Sequence, residues 1–493
     1  MNKILTLIIS IFLTFTVFSQ GNKKMLSLEE VIHLARIQSP DAILAKHKFK
    51  SSYWEFRSYK ASMLPAFTLN ANLFEFNNGI NSTLQPDGSK LYTRQQDNTS
   101  SLTGSITQNI GVTGGTFFIN SGVERADNFL IDSMGTSYRT NVLNIGYSQP
   151  AFQYNRFKWE KKIEPLIYKE AQQTYLHQME VISEKAIRYF YSLATAQLNV
   201  EIAETNFHNN DTLYQIAKGR YQMGTIAENE LLQLELAFLN AKSDLNNSKI
   251  NLQISMFRLR SFLGISELVE LELVPSTQIP KLVIPFEQAF SYAKENNSEL
   301  IAYARQLLEA ERDVAQAHAE SRFNASLYAS FGLNQWAYAL PETYVNPDNQ
   351  QQLSVGIRIP ILDWGEGKGK YKMAQSNEEV VRTQVNQSRI DFEQQVMLIV
   401  MQFNEQSNQV MIAAKADTIA RKRFEVAKQR FLIGKISVLD LNTASTERDI
   451  ALRSNLMAQQ TYWTYFYNLR QYTLYDFLDS KPIECDFYEI IDN

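Results

Sequence analysis

The sequence predicts an α+β membrane protein, with β-barrel strands continued by long coiled-coil-like helices and built from two internal repeats. Three observations predict it. Several short segments alternate apolar and polar residues singly, and long runs repeat apolar residues at 3-and-4 spacing. The whole series of patterns then occurs twice in the chain.

The chain opens with a positive residue, Lys3, followed by an almost wholly apolar run from Ile4 to Phe18. Val17 and Ser19 offer small side chains at the −3 and −1 positions before Gln20, so residues 1–19 read as a cleavable signal peptide. No cysteine follows the cleavage point to carry a lipid. Loss of Lys3 takes the formal net charge from −4 to −5, which leaves no basic footprint for a nucleic acid. Cys485 is the only cysteine, so packing without disulfides must stabilise an exported chain. After Ser19 no apolar run is long enough for a spanning helix. A membrane location therefore requires a closed β-barrel.

Two offsets align the halves. At 210, Pro150 matches Pro360, Arg220 matches Arg430, and Gly224, Ile226 and Leu231 match Gly434, Ile436 and Leu441. At 258, Leu28-Glu29 matches Phe286-Glu287. The difference between the offsets places extra material in the first half, between Pro65 and Pro150. The repeats are read as residues 20–273 and 286–480. A proline-broken linker at 274–285 joins them and a tail at 481–493 follows.

Within each repeat the period changes in order. Ser27, with Glu30 three residues on, caps a helix that runs to Met63, and Pro65 ends it. Strand alternation follows, with Phe67, Leu69, Ala71 and Leu73 on one face. Further strands are read at Leu102–Ile110, Thr116–Val123, Leu143–Tyr147 and Phe323–Leu333. In the second repeat Leu353, Val355, Ile357 and Ile359 oppose Ser354, Gly356 and Arg358, an apolar-out, polar-in barrel pattern. Residues 77–97 and 338–352 read as polar loops. Past Pro150 and Pro360 the seam lengthens to helical spacing: Ala186, Leu193, Ala203 and Ala217 in one copy, Val396, Ile399, Phe403 and Phe424 in the other. The descending helices, Pro165–Gln222 and Gly369–Leu432, would be about 85–95 Å long at 1.5 Å per residue. The returning seam runs from Leu231 through Leu234, Phe238 and Ala241 to Phe262.

Two motifs carry a family resemblance. Arg220-Tyr221-x-x-Gly224-Thr225-Ile226 recurs as Arg430-Phe431-x-x-Gly434-Lys435-Ile436, and Ile359-Pro360-Ile361-Leu362-Asp363-Trp364-Gly365 has a looser partner at Ser148–Phe152. The first resembles the hairpin tip, and the second the strand-to-helix junction, of TolC-like outer-membrane efflux proteins. The resemblance covers nearly all of the mature chain. It implies a homotrimer sharing one barrel in outer-membrane lipid and one periplasmic helical tunnel. It also implies two partners, a periplasmic adaptor (membrane fusion) protein and an inner-membrane pump, for which the chain is a passive exit duct in efflux or type I secretion. An exported coiled-coil scaffold or adhesin is the alternative. The family's pattern of two strands per half gives twelve strands in three chains. The extra runs in the first half would give eighteen, and both counts stay open.

The resemblance also points to site residues. The tips Gly224, Thr225, Ile226, Gly434, Lys435 and Ile436 would contact the adaptor. At the periplasmic gate Asp440 matches an acidic ring position and Glu230 a tying carboxylate, with Thr443 in place of a second acid. Phe431 and Ile436 stand where the family carries aromatic and basic partners of a polar network, so apolar packing would close more of the gate here. Asp440 can equally be a solvated residue in a helix first turn. No enzyme, cofactor or metal site is read. His33, His47, His177, His208 and His318 are scattered, and Gly365-x-Gly367-x-Gly369 lacks the spacing of a phosphate loop. The aromatic run Tyr462–Tyr467 reads as packing between helices.

Overall fold

The computed structural model describes residues 23–129, 135–265, 270–276, 279–433 and 435–492. The leader at residues 1–19 and Gly434 lie outside them. The chain divides into two units. One draws on the described parts of Met1–Lys50, Gln172–Ser298 and Ile390–Asn493, the other on Ser51–Ala171 and Glu299–Arg389.

In chain order the elements are β1 (Lys23–Ser27), α1 (Leu28–Gln38), α2 (Pro40–Ser62), β2 (Ala66–Leu84), β3 (Lys90–Ile110), β4 (Gly115–Asn128) and β5 (Gly135–Ala151). Then come α3 (Arg156–Gln222), α4 (Glu228–Phe262), β6 (Glu270–Val274), α5 (Phe286–Asn296), α6 (Ser298–Glu320), β7 (Asn324–Ala337) and β8 (Asp348–Arg358). The long helices α7 (Glu366–Leu432) and α8 (Val438–Thr473) precede β9 (Tyr475–Asp476), β10 (Lys481–Pro482) and α9 (Phe487–Asp492). α3 and α7 each have 67 residues, α2 and α6 each 23, and α1 and α5 each 11.

The opening helix begins as its sequence dictates. Ser27 Oγ accepts from the Glu30 amide at 3.2 Å while Glu30 accepts from the Ser27 amide at 2.7 Å, a reciprocal capping box. It does not run unbroken to Met63. Pro40 drives Ser39 into extended backbone at φ −64° and ψ 146°, and Ser39 Oγ then caps α2 by accepting from the Ala42 amide at 3.1 Å.

The helical unit is held by apolar packing. β1 and β6 pair in parallel, Leu26 against Leu273. Beneath them Val31, Ala35, Ile187, Phe190, Tyr191, Leu259 and Leu263 form one buried cluster. In the second half Phe403, Tyr462 and Phe466 are buried together, with ring centroids 5.3 and 5.9 Å apart from Phe403. The aromatic run is thus interhelical packing. Tyr462 donates to the Pro280 carbonyl at 2.8 Å, which ties residues 279–285 to this core.

The sheet unit carries one six-stranded antiparallel sheet in the order β2-β3-β4-β5-β7-β8. Every strand is longer than its apolar alternation suggested. Residues 77–97 are not a loop: β2 and β3 stay paired from Asn77↔Asp97 out to Leu84↔Lys90, and only 85–89 turn. Gly88 takes φ 85° there, and Asp87 accepts from the Ser89 amide at 2.9 Å. Ladder bonds and cross-strand polar pairs, such as Asn81 with Gln95, carry a hairpin that composition alone marks as loop. Residues 338–352 likewise hold a short 3₁₀ turn at Leu340–Tyr344 and the start of β8. The long helices start earlier than read, at Arg156 and Glu366. Pro165 sits inside α3, costing one intrahelical hydrogen bond that the helix tolerates.

Candidate functional site: the sheet faces and the hairpin tips

Residues directly paired across an antiparallel ladder point to the same face. One row therefore runs Phe67, Ile106, Ile119, Ile145 and Phe331 across five strands. The next rows on that face hold Phe117, Tyr147, Ala329 and Leu353, then Leu327 and Val355. The opposite face holds Thr68, Ser105, Ser148, Ser330 and Ser354 beside Gly146 and Gly356. The apolar face is exposed: Phe67, Leu69, Leu73, Leu353, Val355 and Ile357 are all solvent-accessible in the single chain. A surface this apolar marks contact with lipid or protein.

Aromatic residues border the sheet. Trp336 and Tyr338 stack edge-on at 4.8 Å near one end, and Phe152 and Phe323 lie 5.5 Å apart near the other. The junctions into the long helices are backbone turns fixed by side chains. Asp363 accepts from the Gly365 and Gly367 amides at 3.0 and 2.9 Å, which holds its carboxyl below the usual aspartate range. Trp364 and Gly365 take φ 53° and 89° to turn the chain, leaving Trp364 exposed. At the first junction Phe152 takes φ 61° and Asn155 caps α3 through the Lys158 amide at 3.2 Å. No described helix is long and apolar enough to cross a membrane, and no cluster of metal-ligating residues occurs among the described residues.

The first hairpin tip is a Schellman turn. The Thr225 amide donates to the Arg220 carbonyl and the Gly224 amide to that of Tyr221, both at 2.9 Å, with Gly224 at φ 71°. Thr225 Oγ1 also donates to the Arg220 carbonyl at 2.8 Å. An added Cβ at Gly224 meets nothing within 4 Å, so backbone conformation and not space demands glycine. At the second tip the Lys435 amide donates to the Arg430 carbonyl at 2.9 Å, in the position of the Thr225 bond. Gly224, Thr225 and Lys435 are exposed, and Ile226 and Ile436 are half-buried.

Of the gate candidates, Phe431 and Ile436 come together, packed against the buried Phe424, Leu441 and Ala444. A cavity of about 230 Å³ opens beside them, lined among others by Asn206, Asn210 and Leu213. Asp440 is engaged in its own helix: it accepts from Ser437 Oγ at 2.7 Å and from the Ser437 amide at 3.0 Å in a capping box. The hydroxyl and the amide hold its carboxyl below the ordinary aspartate range. Thr443 donates to the Leu439 carbonyl at 2.8 Å, and Glu230 lies exposed in the first turn of α4.

Sequence reasoning missed a polar knot above the tip. Asn206 of α3 donates to Asp449 of α8 at 2.9 Å and accepts from Arg448 at 3.3 Å. Arg448 also pairs with Asp449 at 2.6 Å and lies 4.1 Å from the Phe424 ring centre. The available signal was a charged pair falling on an otherwise apolar helical seam.

Comparison with solved structures identifies the fold. The outer membrane channel CmeC of Campylobacter jejuni matches at a TM-score of 0.66 with 15% identity, over 94% of this chain and 88% of that one. The outer membrane protein VceC of Vibrio cholerae matches at 0.63 with 13% identity, over 93% and 97%. No curated protein matches by sequence. The outer membrane efflux protein model matches residues 112–265 and 289–473, more than half of the chain. That family is one of channels and not of enzymes, placed in the outer membrane with a periplasmic helical portion. The chain therefore belongs to the outer membrane efflux protein family.

Proposed function

We propose that this chain is the outer-membrane subunit of a tripartite efflux or type I secretion assembly. It acts as a passive exit duct, working as a homotrimer with a periplasmic adaptor and an inner-membrane pump. The observation that carries the reading is the open six-stranded sheet with one exposed apolar face. β2 and β8 end that sheet with unpaired edges, which lipid does not tolerate. Pairing β8 of one copy with β2 of the next closes the sheet. The two repeats, 20–273 and 286–480, would then supply matching helical hairpins, as the equal lengths of α3 and α7 support.

The tips, with Gly434 taken from the sequence alone, are proposed as the adaptor contact. Light scattering of the detergent-purified protein is expected to give three chains per particle. Gly224→Val forces a β-branched residue into left-handed backbone, at about 1–2 kcal/mol, and should abolish export while the trimer still forms. A stable monomer with full β content overturns the duct reading. Export surviving Gly224→Val removes only the tip contact.

Asp440, Glu230, Phe431 and Ile436 are proposed to form the gate. Three copies of Asp440 around one axis would favour cations. Because its carboxyl titrates below the usual range, the preference should stay flat between pH 7 and about 5. Asp440→Asn should weaken it several-fold in single-channel recordings. Unchanged selectivity would leave Asp440 as a helix cap alone.

A further inference from the structure

Among the described residues the hairpin β3–β4 has no counterpart in the second repeat, and its placement has consequences for the duct. We infer that β3 and β4 are membrane strands in the barrel wall, so that each chain contributes six strands and widens the duct for bulky polar cargo. The inference rests on the three-chain barrel proposed above.

Register carries the first part of the case. β3 and β4 sit between β2 and β5; the β3–β4 ladder is unbroken, and the ladders on either side are interrupted only by bulges at Asn72/Glu75 and Asn120/Gly122. Ile106 of β3 pairs with Phe67 of β2 and with Ile119 of β4, and Ile119 pairs in turn with Ile145 of β5. A hairpin folded into the lumen or lying outside the lipid would break one of these ladders.

Side-chain alternation carries the second. Leu102, Ile106 and Phe117 share the apolar face of the sheet and are exposed there, as Leu353 and Val355 are on β8. Thr103, Ser105 and Asn120 point to the other face, with Asn144 and Gly332. β4 has 14 residues, more than the ~9–11 a tilted strand needs to span the hydrocarbon. Close contacts fix the hairpin between its neighbours. A Cβ on Gly146 of β5 would strike the Phe118 ring of β4, and one on Gly122 of β4 would come within 2.7 Å of Thr103 Oγ1 of β3.

Barrel diameter grows roughly linearly with strand number. Eighteen strands instead of twelve give a lumen about 1.5-fold wider and about 2.25-fold larger in cross-section. The lumen side of β3 and β4 at this level is uncharged, with Thr103, Ser105, Thr107 and Asn120 beside the Phe118 ring, which stacks on Tyr328 of β7. Such a wall, small polar groups with two aromatic rings and no charge, selects against neither charge sign.

Site-directed fluorescence quenching tests the placement. Cys485→Ser removes the only cysteine, and Ile106→Cys, Ser105→Cys and Leu353→Cys are introduced singly into the full chain. Each is labelled with a bimane maleimide in liposomes and quenched with nitroxide lipid or aqueous iodide. Ile106→Cys and Leu353→Cys should be quenched several-fold more by lipid than by iodide, and Ser105→Cys the reverse. Lipid quenching at Leu353→Cys with iodide quenching at Ile106→Cys overturns the inference and leaves the barrel intact. Lipid quenching at neither position overturns the barrel reading itself. Lipid quenching at Ser105→Cys also overturns the inference, because the hairpin would then face the wrong way. Phe117→Cys, on the same face, replaces Ile106→Cys if that variant does not assemble.

Discussion

Replacing Glu180 with alanine is expected to cost up to about 3–5 kcal/mol of stability, because it takes from Arg470 and Arg36 the buried carboxylate they share and leaves Arg470 with Asp476 alone. The Glu180 side chain is fully buried in α3. It accepts from Arg470 Nε at 2.7 Å and Nη2 at 3.2 Å, and also from Arg36 in the last turn of α1. Arg470 in turn binds Asp476, whose other oxygen accepts from the Leu478 and Asp479 amides at 2.9 and 3.2 Å. The guanidinium also lies 4.9 Å from the Tyr467 ring centre. One carboxylate thus joins α1, α3 and the end of α8 within the helical unit. Arg470→Ala should cost a similar amount, and the double variant far less than the sum, since the charges are lost together. Urea unfolding of the detergent-purified protein measures all three. Additive losses, or a loss below about 1 kcal/mol for Glu180→Ala, would show that the cluster is not a linked unit.

Much of the helical unit was legible because seam positions repeat the same demand every turn. Val396, Ile399 and Phe403 are buried as their spacing requires, as are Ala186, Leu193, Ala203 and Ala217. Tyr221, in the tip motif, is exposed where the helix ends. Caps were legible where the signal is local, as at Ser27 with Glu30. Breaks inside long segments were less so: Pro40 divides a helix whose flanks both look helical, whereas Pro165 does not interrupt α3. The β2–β3 extension was hidden because its stability lies in paired backbone and polar cross-strand contacts, which leave no apolar period. Glu180 and Arg448 were hidden for a related reason. Sequence shows a charge in a helix, and only the fold supplies the opposite charge from a distant element. At the tips Gly224, Thr225, Ile226, Lys435 and Ile436 lie in or beside the turns between the long helices, and the bond that occupies Asp440 is the local Ser437 cap.

The sheet face predicts the sharpest contrast between neighbouring residues. Val355 and Ser354 are adjacent in β8 and point to opposite faces, Val355 in the row of Leu327 and Ser354 in the row of Tyr328. In a lipid-facing barrel strand, arginine near the midplane costs about 2–4 kcal/mol, falling to roughly 0–1 near the interfaces. Val355 lies inside the apolar run Leu353–Ile359, while Gln351 on the same face already marks the polar end. Val355→Arg is therefore expected to destabilise each copy by about 2–4 kcal/mol and to sharply reduce heat-resistant trimer in the outer membrane. In the proposed barrel Ser354→Arg places the same charge on the lumen side, and should leave trimer yield near that of the wild type. Ile359→Arg, one residue beyond the strand and next to the junction, should fall between them. The graded order separates lipid contact from general damage to β8, because a soluble edge strand would tolerate an exposed arginine at all three positions. Equal trimer yields for Val355→Arg and Ser354→Arg would mean that the apolar face of β8 does not meet lipid.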